Sequence, residues 1–468
     1  MGVLCLFMNR KFAASALAVL GALAALLVAA PASQAGSRVD PSFGKHGIST
    51  VFGDPSVTNE LNTPAAIAET RQGKLVVLGN DIGAYRSEQM VLFRLNRNGR
   101  LDGTFGDEGY VSSADFPIEK AHPRTVRAGF GRDLAIMGNG RILTTGLHDP
   151  DFSLGFCAFL SQLFPNGALR LGFGYQGIKR HCINRTRTYR GKKYRQRISL
   201  DSRSIDLTGN GKILLGGNQM RGGGHEIPFL ARLNRDGSLD RTFKGNARTA
   251  TGQKGIVQVR GTGSAAHNRF YEVKALRHRR ILAVGGLDGN MVVARFNSDG
   301  TLDNRFGDHG LARIDINGKA DCYCVNATGV AFDSRGRIVI VRGDGRENGI
   351  RNESLLVARL TKNGHLDRSF GRKGIFRARP DWQFEGNAVA IDRKGRIVVA
   401  GQHESSFTLV RLKPNGGFDR SFFGRGVFES TDDHLGNNAT DLTIDRQGRI
   451  VATGGRSGYG MSVIRILP

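Results

Sequence analysis

The densest run of charge in the chain lies between Lys179 and Arg197, where nine Lys or Arg residues occur with no acidic residue. Guanidinium and ammonium groups bind carboxylate, sulfate and phosphate groups, and interleaved tyrosines are typical of nucleic-acid surfaces. The pattern predicts a polyanion-binding segment, and a solvated basic loop without a ligand is the alternative. The candidate binding residues in this segment are Arg185, Arg187, Arg190, Lys192, Lys193, Tyr194 and Arg195.

A second group of candidates combines histidines, acidic residues and the single tryptophan. His148, Asp149 and Asp151 are residue types that hold a cation such as calcium, and a hydrogen-bonded polar turn is the alternative. Trp382 can stack on a sugar or an aromatic ligand, or it can pack over its own element. The remaining binding candidates, each beside an acidic residue, are His403 and His434.

No catalytic motif accompanies these candidates. The sequence has no His-Glu-x-x-His zinc motif, no Gly-x-x-x-x-Gly-Lys-Ser/Thr phosphate loop and no Gly-x-Ser-x-Gly nucleophile elbow. We therefore assign no catalytic residue and predict no cofactor beyond the candidate cation. An enzyme of hydrolase or lyase type, acting on carbohydrate or another small polar substrate, is the alternative function.

The first 35 residues have the order of a secretory signal peptide. Arg10 and Lys11 precede an uncharged apolar run from residue 12 to residue 30, and small residues around Ala35 offer a cleavage site. An uncleaved anchor is the alternative, and no later segment is apolar enough to span a bilayer. The pattern predicts a secreted or cell-surface protein.

Export would affect the oxidation state of the cysteines and the class of partner that the protein meets. In an oxidising compartment Cys157 and Cys182 are candidates for a disulfide, whereas the state of Cys322 and Cys324 stays open. Because export argues against intracellular nucleic acid, we expect an extracytoplasmic partner such as an acidic glycan or a cell-wall polymer. This expectation agrees with a formal net charge of +26.

A repeat of the form Leu-Asp-x-x-Phe-Gly-x-x-Gly organises the rest of the chain. Each unit adds three apolar runs of strand length, an Asn-Gly or Asp-Gly hairpin pair after the third run, and a fourth run after the motif. The motif phenylalanines are Phe43, Phe105, Phe173, Phe243, Phe306, Phe370 and Phe422. Seven units of four antiparallel strands predict an all-β, seven-bladed β-propeller over residues 36–468.

The strands of each predicted blade are lettered A to D from the channel outwards. The seven A runs are centred near Ile67, Ala135, Ile205, Ala275, Val330, Val389 and Leu442. The first D-type strand, residues 48–52, precedes every A run, and the last C-type strand, residues 461–467, has no D strand after it. We therefore predict that the N-terminal strand joins the last blade and closes the ring, which removes two free sheet edges.

An arginine in strand C precedes the motif aspartate by eight residues in most units. The predicted pairs are structural rather than catalytic, because a planar guanidinium can fix the C–D turn geometry of each blade. These pairs are Arg94–Asp102, Arg232–Asp240, Arg295–Asp303, Arg359–Asp367, Arg411–Asp419 and, through ring closure, Arg465–Asp40. The second unit has Gln162 and Arg170 at these places, so both members of the charged pair are missing there.

The motif, together with runs such as residues 390–401, resembles the delta-60 repeat family of bacterial β-propellers over nearly all of residues 38–468. The resemblance implies a secreted or surface-exposed propeller, and it implies no agreed activity and no catalytic motif. We expect a monomeric binding scaffold. Its ligand face should be the one that carries the long, variable D–A and B–C loops, because binding residues concentrate on such loops.

Overall fold

A computed structural model describes residues 39–51, 63–82, 88–116, 130–148, 157–189, 191–220, 225–249, 251–261, 267–314, 326–343, 354–379, 382–430, 432, 435–456 and 460–468. Within these residues nearly all regular structure is antiparallel β-sheet. Short 3-10 turns interrupt it, among them Ser113–Asp115 and Arg277–Arg279.

The first half of the chain forms an entering strand, three blades and an inserted hairpin. The entering strand is β1 (Ile48–Val51). Blade 1 consists of β2 (Thr63–Glu69), β3 (Leu75–Ile82), β4 (Glu88–Leu95) and β5 (Tyr110–Ser112). Blade 2 consists of β6 (Phe130–Ile136), β7 (Ile142–His148), β8 (Cys157–Leu163) and β9 (Ile178–His181). The hairpin consists of β10 (Ile183–Tyr189) and β11 (Lys192–Ile198). Blade 3 consists of β12 (Leu200–Leu207), β13 (Ile213–Met220), β14 (Glu226–Leu233) and β15 (Ile256–Gln258).

The second half forms the remaining four blades. Blade 4 consists of β16 (Arg269–Ala275), β17 (Ile281–Leu287), β18 (Asn290–Phe296) and β19 (Leu311–Ile314). Blade 5 consists of β20 (Asn326–Phe332), β21 (Ile338–Gly343), β22 (Leu356–Leu360) and β23 (Ile375–Arg377). Blade 6 consists of β24 (Phe384–Ile391), β25 (Ile397–His403), β26 (Ser406–Leu412) and β27 (Val427–Ser430). Blade 7 consists of β28 (Ala439–Ile444), β29 (Ile450–Arg456), β30 (Gly460–Ile466) and β1.

The ring closes through β1, as the sequence predicts. β1 pairs antiparallel with β30, with Ile48 opposite Ile464 and Val51 opposite Met461. The last blade therefore has the sheet order β28, β29, β30, β1. The seven-bladed propeller of four-stranded antiparallel sheets is confirmed, and each predicted A run falls in the innermost strand of its blade.

The apolar core of the described residues lies between blades rather than within any one of them. It divides into seven clusters, and each cluster takes its side chains from two adjacent blades. The motif phenylalanines are fully or almost fully buried in these seams. Each blade thus stabilises its neighbours by burying apolar area.

The Arg–Asp pairs join neighbouring blades at their C–D turns. In all six pairs arginine Nε lies 2.5–2.9 Å from the aspartate Oδ2. The guanidinium carbon also lies 4.4–4.7 Å from the centre of the motif phenylalanine ring in the same blade. In blade 4, Arg295 Nη1 donates to the carbonyl of Lys362 in blade 5, at 2.7 Å. Arg465 donates in the same way to the Arg97 carbonyl of blade 1, across the closure.

Blade 2 replaces the ion pair with a neutral contact. Arg170 Nη1 donates to Gln162 Oε1 at 2.9 Å, so the arginine stands at the aspartate position and an amide accepts its hydrogen bond. In the sequence both members of the charged pair are missing from blade 2, yet the structure retains a hydrogen bond between the same two positions. An amide side chain can accept from arginine as a carboxylate does, without its charge.

Candidate functional site

The basic segment forms a β-hairpin on the connection from blade 2 to blade 3. The sequence placed this segment in a D strand and a D–A loop, and the structure adds that the loop is itself two paired strands, β10 and β11, with Arg187 opposite Tyr194 and Thr188 opposite Lys193. In the described part of the chain these two strands pair only with each other. The hairpin therefore extends from the D–A face as a separate arm.

Both legs of the hairpin are tied to the propeller at their roots. Cys182, between β9 and β10, forms a disulfide with Cys157 at the start of β8. On the other leg the Ser199 carbonyl accepts a hydrogen bond of 2.9 Å from the Met220 amide at the end of β13. An isolated two-stranded hairpin is only marginally stable in water. The disulfide and this hydrogen bond therefore fix the two ends of the hairpin to blades 2 and 3.

The tip of the hairpin presents ammonium groups to solvent. Lys192 and Lys193 are exposed, and Gly191 supplies the positive φ of +76° that the tight turn requires. Arg190 lies outside the described residues. The hairpin strands also carry candidates whose side chains lie outside the described part, namely Arg185, Arg187, Tyr194 and Arg195.

A β-bulge recurs near the start of every A strand, on the side of the channel nearest the D–A face. In each blade the register with strand B skips one residue, which is thus left unpaired. The skipped residues all line the central channel, a cavity of about 650 Å³, and are Ala65, Arg132, Arg203, Tyr271, Thr328, Asn387 and Thr440. Bulges re-aim side chains and are frequent beside active sites. The same bulge in each of the seven A strands thus places around the channel a ring of side chains that differ between blades.

The ring is cationic on one side. Arg132 and Arg203 both reach the carboxylate of Asp201, with Arg203 Nη2 at 3.0 Å and Arg132 Nε at 3.6 Å. Asp201 is fully buried, whereas the side chains of Arg132 and Arg203 keep 30% and 18% of their surface exposed. The Arg203 guanidinium also lies 5.2 Å from the centre of the Tyr271 ring. Two guanidinium groups on one carboxylate leave a net positive charge at this edge.

Below the ring, acidic side chains join the inner strands of adjacent blades. Asp133, Asp206 and Asp441 each accept a backbone N–H from the next blade's A strand, at 2.7–2.9 Å. Glu272 does the same for the Val330 amide at 2.5 Å. Among the residues that line it, the deeper channel therefore carries four carboxyl groups and the ammonium group of Lys274, while the mouth on the side of blades 2 and 3 is basic.

Burial sets the charge of two of these acids. Loss of hydration raises the pKa of Asp133 to about 6 and that of Asp441 to about 7, because the channel walls exclude much of the water. Backbone N–H groups oppose this effect in both cases without cancelling it. Lys274, 2.6 Å from Glu272, has its pKa raised because the nearby Glu272 and Asp206 carboxylates outweigh its own burial.

The other candidates do not join this site. Trp382 is half-buried, with its ring centre 5.3 Å from Phe384, 5.1 Å from His403 and 6.0 Å from Phe418. His403 is also paired through Nδ1 with Glu429. The structure thus supports the packing alternative for Trp382, and a ligand role for Trp382 or His403 stays a prediction. His434 lies outside the described residues.

The side chains of the three cation candidates lie outside the described residues. Asp149 and Asp151 lie outside the described residues, as does the side chain of His148, whose backbone ends β7. Among the residues that the structure describes, no three His, Cys, Asp or Glu side chains come together to hold a metal ion. Cys322 and Cys324 also lie outside. In the same described residues no helix has the length and apolarity to cross a bilayer.

Sequence reasoning missed the ring of bulge residues. Its members lie near the start of each A run, where the repeat changes from blade to blade and the motif is far away along the chain. A bulge leaves no residue signature when its extra position is Ala in one unit and Arg in another. The signal that was present is the pair Arg132–Asp133 and the run from Asp201 to Asp206, which break the apolar alternation of an inner strand.

Solved structures with a similar shape share little sequence with this chain. Virginiamycin B lyase from Staphylococcus aureus has a TM-score of 0.46 and 12% identity, covering 90% of this chain and 99% of that one. The extracellular domain of the one-component system BT4673 from B. thetaiotaomicron gives 0.44 and 9%, covering 89% of this chain and 40% of that one. PorZ, a surface component of the type-IX secretion system of Porphyromonas gingivalis, gives 0.43 and 11%, with 89% and 47% covered. This chain therefore spans less than half of the latter two, and likeness at this level says nothing about what it binds.

Comparison of the sequence with family models also identifies part of the repeat. No curated protein matches this chain significantly. Three segments, residues 208–243, 280–306 and 395–422, match the family model of a β-propeller domain of unknown function, DUF5122. Each segment contains strands B and C of one blade and ends at its motif phenylalanine. The chain thus carries at least three β-propeller repeats of this kind.

Proposed function

We propose that this protein is a secreted or cell-surface scaffold that binds an acidic glycan or cell-wall polymer on its D–A and B–C face. The observation that carries the proposal is the hairpin β10–β11, an arm that is rich in Lys and Arg and without an acid, with exposed Lys192 and Lys193 near its tip. The arginines of the channel mouth extend the same charge towards the axis. The resemblance to delta-60 repeats and the signal-like N-terminus support export.

Electrostatics favours a polymer over a small anion on the arm. Exposed charges in water each contribute little, so affinity must come from many contacts made along one chain of like charges. A linear polyuronate offers one carboxylate per sugar and can follow the arm. Binding of this kind weakens steeply with salt, because ions screen exposed charges beyond about 10 Å at 0.1 M.

The test measures binding of the full chain to polygalacturonate over a range of salt concentrations, with dextran as the neutral polymer and duplex DNA as the competing polyanion. We expect salt-dependent binding to polygalacturonate and none to dextran. The variant Lys192→Glu/Lys193→Glu should lose about tenfold in affinity, or ~1.4 kcal/mol. The matched control is Lys394→Glu/Lys413→Glu, which reverses two exposed lysines on the opposite face and should leave affinity unchanged.

Three results would overturn the proposal. Equal loss of affinity in both variants would mean that only net charge matters. Binding to DNA much tighter than to polygalacturonate would point to nucleic acid. Shortening of the polymer during incubation would support the alternative, an enzyme of hydrolase or lyase type.

A further inference from the structure

The ring of bulge residues differs in its bonding from one side of the channel to the other. On blades 5 and 6, Thr328 donates to the Gly386 carbonyl at 2.6 Å and Asn387 donates to the Ala439 carbonyl at 2.9 Å. On blade 7, Thr440 donates to the Thr453 carbonyl at 3.2 Å. These three side chains hold backbone together. At the same positions of blades 2 and 3 are the guanidinium groups of Arg132 and Arg203, whose side chains line the channel and keep 30% and 18% of their surface exposed.

The two guanidinium groups are held in place from behind. Asp201 is buried and lies within ion-pair distance of both, Asn218 Oδ1 accepts from Arg203 Nε at 3.1 Å, and the Tyr271 ring lies against Arg203. Arg132 in turn lies 4.5 Å from the ring centre of Phe130. Supporting contacts of this kind fix a binding group before the ligand arrives, which reduces the entropy lost on binding.

The net charge of Arg132, Arg203 and Asp201 bears on the charge of the anion that this cluster would bind. Arg132 and Arg203 contribute two positive charges and Asp201 one negative charge, so these three side chains together carry a net charge of +1. Asp133, Asp206 and Glu272 lie deeper in the same channel beside Lys274, so an anion that moves inwards meets more carboxyl groups than ammonium groups. A planar carboxylate also matches the fork of a guanidinium group. We expect the cluster to take a single carboxylate, because a second negative charge on the ligand would exceed the net charge of +1 on these three side chains.

From this arrangement we propose that Arg132 and Arg203 form a subsite for the carboxylate of one uronic acid residue at the channel mouth. The inference rests on the proposed function, because the hairpin beside it would hold the rest of the same acidic polymer. The subsite would hold the sugar residue at the end of the polymer, whereas the arm would bind the residues along its length. Arg132 and Arg203 are on the A strands of blades 2 and 3, the two blades that the hairpin connects, so both sites lie on one side of the propeller.

The experiment uses short ligands that the arm alone cannot hold. Trigalacturonate should bind the full chain saturably and raise its melting temperature, whereas its methyl ester and galactose 1-phosphate should bind at least tenfold more weakly. Arg132→Gln should lose at least tenfold in affinity for trigalacturonate, and it leaves the Arg203–Asp201 pair in place so that the chain still folds. Arg203→Gln combined with Asp201→Asn removes the other arginine without leaving a buried charge alone. Thr440→Val, on the far side of the ring, should bind as the wild type does.

The outcomes separate this inference from the proposed function. If Arg132→Gln binds trigalacturonate as the wild type does while Lys192→Glu/Lys193→Glu loses the polymer, the arm is the binding site and the subsite is wrong. If the sugar phosphate binds as tightly as trigalacturonate, the carboxylate assignment is wrong. If polygalacturonate does not bind but trigalacturonate does, the proposed polymer function fails and the subsite stands. Binding of neither ligand overturns both.

Discussion

A single guanidinium group joins several parts of its blade in this fold. Arg359 in blade 5 lies 2.9 Å from Asp367, donates to Ser369 Oγ at 3.1 Å and stacks on Phe370, and its Nη1 donates to the Pro414 carbonyl of blade 6. Its side chain is 3% exposed. Removing the arginine therefore breaks three hydrogen bonds and a ring contact at once, while Asp367 keeps the bond that it accepts from Arg337 Nη1 at 3.0 Å.

We therefore expect Arg359→Ala to lower the free energy of unfolding by about 2–3 kcal/mol, the range for losing hydrogen bonds to a charged group, because Asp367 stays paired with Arg337. The control is Arg170→Ala in blade 2, where the partner is the neutral amide of Gln162 and the expected cost is about 1 kcal/mol. Urea unfolding of both variants measures the difference. Equal costs would mean that the ion pair adds nothing beyond one hydrogen bond.

The aspartates of this fold divide into two classes by pKa. Burial alone would raise the pKa of Asp102, but hydrogen bonds from Lys74, Thr104 and Arg94 outweigh it and lower the pKa to about 2. Asp367 also has a pKa of about 2, since Ser369, Arg359 and Arg337 likewise outweigh its burial. Burial dominates for Asp441, whose pKa rises to about 7.

The two classes act on stability at opposite ends of the pH range. Asp102 and Asp367 bind fewer protons in the folded state, so their contribution is present above about pH 4 and is lost as the pH falls towards 2. Asp441 binds more protons in the folded state, so its contribution is lost as the pH rises from about 4 through 7. Urea unfolding from pH 2 to 8 should show highest stability between pH 4 and 6. Asp441→Asn cannot ionise and should flatten the decrease above pH 5; an unchanged slope would contradict the assignment.

The hairpin is the element that depends least on the propeller core. It pairs with no blade strand in the described residues, so its order relies on its own cross-strand bonds and on its two roots. The disulfide between Cys157 and Cys182 connects it to strand C of blade 2 across a separation of 25 residues in sequence. A crosslink of this length restricts the free chain and stabilises the fold by about 3 kcal/mol.

Replacing both cysteines by serine should free the arm at its root. We expect faster hydrogen exchange in β10 and β11, and affinity for polygalacturonate lower by several-fold because binding must then order the arm. Amides of β21 and β22 in blade 5 serve as the internal reference and should exchange as before. If affinity is unchanged while exchange in the arm rises, the arm does not carry the binding.

The strands of the blades were predictable because their residues repeat one pattern seven times. Residues such as Ile397–Ala400 form short apolar runs between turn residues, and Gly416 after Asn415 indicates a hairpin. The hairpin β10–β11 was not predictable, because its many charges hide any alternation of apolar and polar residues. The cluster around Asp201 was missed for another reason: its members meet only when blades 2 and 3 pack side by side.

At the scale of the whole molecule, the ring depends on a single β-pairing between residues far apart in the chain. Thr50 of β1 lies opposite Ser462 of β30, and their hydroxyl oxygens are 3.0 Å apart although 412 residues separate them. All other blades are made from consecutive strands. Closure therefore carries a large loop-entropy cost, which the apolar seams on both sides of blade 7 offset.

A disulfide at this pairing should lock the ring. We expect Thr50→Cys/Ser462→Cys to oxidise readily and to raise the free energy of unfolding by up to about 5 kcal/mol, because the closed loop is so long. The matched variant Thr50→Cys/Val463→Cys places its two thiols on opposite faces of the sheet and should not crosslink. Mass analysis of thiols and urea unfolding measure both effects. Crosslinking of the second variant but not the first would contradict the register.

The identity of the residue at each of the seven skipped positions is independent of the pairing between strands A and B. Since none of them pairs with strand B, exchanging one for another polar residue removes no rung of a sheet. For protein engineering, the rim offers positions around one axis at which a substitution leaves every A–B strand pair intact, although at Thr328, Asn387 and Thr440 it also removes a hydrogen bond to backbone.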